Sequence, residues 1–151
     1  MNLGSFARRS NVESLTFIGV TATYLYVSFG VNFQDIQGGY ISHLKYIKLP
    51  KILNTADYGG SNPFSSANVL TDVECDFIEH SVNLSDSPLT LQSAINVLNA
   101  LQDVTSYGGA TLTFSSTTKG YINNDQDALA LVYQAQSNGW TVTGFESYIY
   151  I

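Results

Sequence analysis

Asp72, Glu74 and Asp76 alternate along one stretch of the chain, with Cys75 between two of them and Glu79-His80 just beyond. On an extended strand this spacing turns all three carboxylates to one face. Hard oxygen ligands gathered within a few ångströms suit calcium. Neighbouring carboxylates on a strand, however, stand about 7 Å apart, too far to share one ion without further ligands. The D-x-D-x-D-G type of loop that would supply them does not occur. The stretch therefore reads as a solvated acidic face, with no metal and no cofactor assigned. Cys75 falls at an inward position, where a lone cysteine acts as a small hydrophobe. A hydrolase would have to draw on Asp72, Glu74 or His80. Ser65-Ser66 and Ser115-Ser116 lack a G-x-S-x-G elbow, and His43 and His80 are the only histidines. Gly59-Gly60 and Gly108-Gly109 read as turns, since no G-x-x-x-x-G-K phosphate loop is present. The expectation is a protein that is not an enzyme.

Composition narrows the partners. The 151 residues are 44% hydrophobic and 12% charged, and that charged share is about half the usual one. Tyr, Phe, Gly, Ser, Thr and Asn fill the difference, as in β-rich extracellular or particle-bound proteins. A chain of this length buries enough surface to fold as one domain without a metal or disulfide. The net charge is −6 with six Lys and Arg in all. Arg8-Arg9 is the one basic pair, so the clustered cations that nucleic acid requires are missing. The apolar stretch Leu15 to Val31 is broken by Gly19, Ser28 and Gly30, and it alternates like a strand. Membrane insertion by a helix is not expected. Met1 to Glu13 is polar and leads into no cleavable apolar segment, so Sec export is not expected either.

The elements that must position these residues come from a recurring frame, apolar-x-x-apolar-x-apolar. It occurs as Leu15-x-x-Ile18-x-Val20, Tyr24-x-x-Val27-x-Phe29, Leu44-x-x-Ile47-x-Leu49 and Leu70-x-x-Val73-x-Cys75. From Tyr24 to Leu44 is 20 residues and from Leu44 to Leu70 is 26, both within the range of leucine-rich repeats. The first two copies lie too close for one repeat turn. Leu15 to Val20 can instead pair antiparallel with Tyr24 to Phe29, and the N-terminal topology stays open. Stacking of the frame puts Phe17, Tyr26, Tyr46 and Asp72 in one outward column. Gly19, Ser28, Lys48 and Glu74 form the next, with Lys48 beside Glu74. An exposed aromatic column suits partner binding, because rigid rings bury much area at low entropic cost. Phe17, Tyr26, Tyr46, Lys48, Asp72 and Glu74 are the candidate partner-binding residues.

The C-terminal half alternates strands with helices. Thr90 is placed to cap a helix over Leu91 to Val104, whose apolar stripe is Ala94, Ile95, Val97, Leu98 and Leu101. Ala110 to Ser115 alternates as a strand. Asn124 reads as the N-cap of a second helix, with Asp125 and Asp127 at the positive end of its dipole. Ala128, Leu129, Leu131, Val132 and Ala135 supply its stripe, and Gly139 ends it. Trp140 to Thr143 begins the next strand. Strand, helix and strand in this order predict a parallel pair.

Residues 89–145 resemble the closing unit of BspA-like leucine-rich-repeat proteins. The matching parts are the helix Ala94–Leu101, the strand Leu112–Phe114, the helix Ala128–Ala135 and the strand Gly139-Trp140-Thr141-Val142. Leu44-Lys-Tyr-Ile-Lys-Leu-Pro-Lys51 is similar to the family's strand. Phe77 to Asp86 does not continue the repeat. The resemblance covers about two-thirds of the chain. Such proteins are surface proteins of Bacteroidetes and Firmicutes and virion proteins of their phages.

The resemblance implies an α/β fold. Its expected form is a short leucine-rich-repeat-like solenoid, with a curved, mostly parallel sheet, flanking short helices and a β-rich N-terminal part. Residues 1–13 are expected to form an N-terminal arm and residues 14–151 a single domain. The resemblance brings no catalytic residues. With Sec export not expected, it points to a phage virion component, as fibre, spike or capsid decoration, and the alternative is an adhesion or interaction module at the bacterial cell surface. The expected partners are other virion subunits, further copies in a homo-oligomer, and a host surface receptor. Glu146 to Ile151 is apolar to its end and is expected to pair with a neighbouring subunit or its own sheet.

Overall fold

The structure is a computed structural model that describes residues 13–16, 43–49, 64 and 67–146. The chain is mixed α/β, with short parallel sheets and three α-helices among the described residues. The expected arm, Phe17, Tyr26, the possible antiparallel pairing with Tyr24 to Phe29, and the chain after Glu146 lie outside the described residues.

Three strands make the first sheet: β1 (Ser14–Thr16), β2 (Tyr46–Leu49) and β3 (Asp72–Cys75). Both of its pairings are parallel, with Leu15 opposite Ile47 and Ile47 opposite Val73. Burial alternates along β3, so Val73 and Cys75 face the core while Asp72 and Glu74 face out. The second sheet holds β4 (Val82–Leu84), β5 (Ala110–Phe114) and β6 (Trp140–Val142), also all parallel. Val82, Leu112 and Val142 share one buried rank, 30 residues apart each time (82 to 112, 112 to 142). Leu112 therefore belongs to a different sheet from the one that Leu44 and Leu70 lead into. Phe77 to Asp86 does not continue the first sheet: it holds β4, which pairs with β5 and opens the second one, with Val82 and Leu84 buried and Asn83 between them facing out.

Helices connect the strands. Helix α1 (Leu91–Ala100) starts at Thr90, whose hydroxyl accepts from the Ser93 N–H as expected of an N-cap. It ends four residues before the expected Val104. Leu101 turns extended and forms a parallel bridge with Ile78, and Ile78 N–H donates to the Ala100 carbonyl at 2.9 Å. Tertiary pairing thus overrides the helical period of the sequence.

Between β5 and β6 lie two helices where one was expected. Helix α2 (Ser116–Asn123) starts at the Ser115 cap, and helix α3 (Gln126–Ser137) starts at Asp125, whose carboxylate accepts from the Ala128 N–H. Asn124, expected as the N-cap of α3, instead closes α2, its amide donating to the Gly120 carbonyl at 2.8 Å. Asp127 sits in the first turn of α3, where a carboxylate complements the dipole. Gly139 ends α3 at a φ of 87°, and a Cβ there would come within 3.0 Å of the Thr105 nitrogen. The close approach and the left-handed backbone together require glycine.

One apolar cluster runs through both sheets, from Leu44 and Ile47 through Leu70, Val73 and Ile78 to Leu112, Phe114, Trp140 and Val142. Helix α1 packs on β3 and against α2 and α3, while α3 packs on β6. Trp140 is buried and its indole N–H donates to the Gln102 carbonyl at 2.7 Å, so its one polar atom is satisfied inside. No described helix is long and apolar enough to cross a membrane.

Candidate interaction face

The outward face of the first sheet brings together four of the six candidate residues. Tyr46 lies opposite Asp72 and Lys48 opposite Glu74. Lys48 Nζ reaches the Glu74 carboxylate at 2.9 Å, the pair expected from the repeat frame. This contact holds the Lys48 pKa above its ordinary value, first through the hydrogen bond to Glu74 and then through its charge. Lys45, just before β2, pairs with Glu13 at 3.1 Å. Both ion pairs are substantially exposed, so each contributes little to stability.

The position expected for Phe17 is occupied by Ser14, which lies opposite Tyr46, and Thr16 lies where Gly19 was expected, opposite Lys48. The cause is a register three residues earlier than the frame suggested. In sequence, Val12-Glu-Ser-Leu15-Thr-Phe17 fits the same apolar-x-x-apolar-x-apolar pattern as Leu15 to Val20. The backbone selects the earlier reading, with the Glu13 carbonyl accepting from Lys45 N–H at 2.8 Å and Tyr46 N–H at 3.1 Å. Ser14, Thr16, Glu13 and Lys45 are thus the members of this face that the sequence reading missed. The Val12 frame is the signal that could have found them.

Asp72 is held from two sides. The Thr71 hydroxyl donates to one carboxylate oxygen at 2.7 Å and the Thr90 hydroxyl to the other at 3.3 Å. Thr90 thereby caps α1 and ties its first turn to β3. Glu74 is engaged by Lys48, and Asp76 falls beyond the end of β3 at Cys75. Among the described residues no three His, Cys, Asp or Glu side chains converge as metal ligands do.

Beside this face, Glu74, Cys75, Asp76, Asn96, Asn99 and Ala100 line an open groove of about 400 Å³ between the end of β3 and α1. Neither Asp72 nor His80 lines it. Cys75 is buried, and its thiol donates to the Phe77 carbonyl at 3.3 Å. A thiol in that contact packs as an inward side chain, in keeping with its place in the repeat frame.

The second sheet presents uncharged polar groups outward. Asn83 and Thr113 share a rank, Thr111 and Thr141 another. The Thr113 and Thr143 hydroxyls lie 3.1 Å apart, and the Ser81 hydroxyl accepts from the Thr111 N–H at 2.9 Å. The first sheet's outer face thus carries the Lys48–Glu74 ion pair, and the second sheet's carries Asn83, Thr111, Thr113 and Thr141. Comparison with protein-family models, with curated proteins and with solved structures finds no match to this chain.

Proposed function

We propose that this chain is a non-catalytic structural and binding component of a phage particle, built on a leucine-rich-repeat-like scaffold and serving as fibre, spike or capsid decoration. The observation that carries the reading is the parallel return of the chain at similar intervals. Strands come back into register after 32 residues (14 to 46), then 26 (46 to 72), and in the second sheet after 30 and 30. Leucine-rich repeats return every 20–29 residues, so one interval falls inside that range and three just beyond it. Stacked repeats place like positions in columns and present a fixed outer wall. On this reading Tyr46, Lys48, Asp72 and Glu74, with Ser14 and Thr16 beside them, form the wall that partner subunits or a host receptor contact.

The resemblance of residues 89–145 to BspA-like closing units supports the same assignment, and it is equally compatible with an adhesion module at a bacterial surface. Gradient fractionation of a phage lysate, followed by immunodetection of the chain, separates the two. A particle component travels with the particle band after high-salt washing. Recovery on host cell envelopes, with none in the particle band, assigns the chain to the cell surface and overturns the proposal.

A further inference from the structure

No further inference is drawn: the strongest candidate, the outward face of β4, β5 and β6 with its ranks of Asn83, Thr111, Thr113, Thr141 and Thr143, is an unpartnered sheet face, and nothing in the structure shows what covers it.

Discussion

The Ser93 hydroxyl closes the edge of β3 at Val73, accepting from its N–H at 2.8 Å and donating to its carbonyl at 3.3 Å. One side chain thus satisfies both backbone groups that a fourth strand would otherwise have taken. The Thr90 N–H extends the seal by donating to the Thr71 carbonyl at 2.9 Å. This is why the first sheet stops at β3 and β4 opens a second one: α1 has docked on the edge that would have continued the ladder.

Replacing Ser93 by alanine should therefore cost more than a typical surface change. It strands buried backbone groups, a loss of about 1–3 kcal/mol. Urea unfolding of Ser93→Ala should show a lower midpoint with an unchanged slope. A midpoint equal to that of the parent would mean that the hydroxyl is not what seals the edge.

Gly139 and Gly108 make a matched pair. Both adopt positive φ, 87° and 84°, but a Cβ at Gly108 meets open space while one at Gly139 runs into Thr105 backbone. Gly108→Ala pays for the backbone conformation alone, and Gly139→Ala pays for that and for the collision. The Gly139 variant should lose more than about 1 kcal/mol and melt below the Gly108 variant. Equal melting temperatures would argue against the close approach of α3's end to Thr105.

Much of this C-terminal half was legible from the chain. Thr90, Gly139 and Trp140 are punctuation whose physics is local, a cap, a left-handed stop and a strand start. The misreadings have local causes too. Ser116-Thr-Thr-Lys-Gly120 is a poor helix former, so α2 was hidden; it forms because Ser115 caps it and Thr118 is buried, its hydroxyl bonded to the Leu89 carbonyl at 3.2 Å. Strand β4 was too short to reveal a period, and only pairing with Leu112 and Phe114 identifies it. On the outward face of the first sheet, Lys48 beside Glu74 followed from the frame, whereas Ser14 did not. Two overlapping frames fit the segment around Leu15, and composition cannot choose between registers that tertiary hydrogen bonds decide.

Two ionisable groups predict opposite responses to pH. Lys48 titrates above 10.5 in the folded chain because Glu74 binds its charged form. That stabilisation is complete below the unfolded value and fades as pH rises through the folded one. Asp103 titrates below 3.8, first because the Thr105 hydroxyl donates to it and then because the Thr105 N–H does. Its contribution is present above the unfolded value and fades as pH falls through the folded one. In an NMR titration, Glu74→Gln should move Lys48 down and Thr105→Ala should move Asp103 part of the way up. Unmoved midpoints would contradict both contacts.

Calcium should leave the protein unchanged. The Asp72 oxygens are engaged by Thr71 and Thr90, and Glu74 by Lys48. A genuine site loaded at a hundred times its Kd would add about 2.7 kcal/mol. Thermal melts in millimolar calcium and in chelator should coincide, and a calcium-dependent rise in Tm would revive the acidic stretch as a ligand set.

The most direct test of the central claim is absolute quantification of this chain, by mass spectrometry, in washed and gradient-purified phage particles. The account predicts a constant copy number relative to the major capsid protein across preparations. A ratio that drifts toward zero as purification proceeds would contradict it.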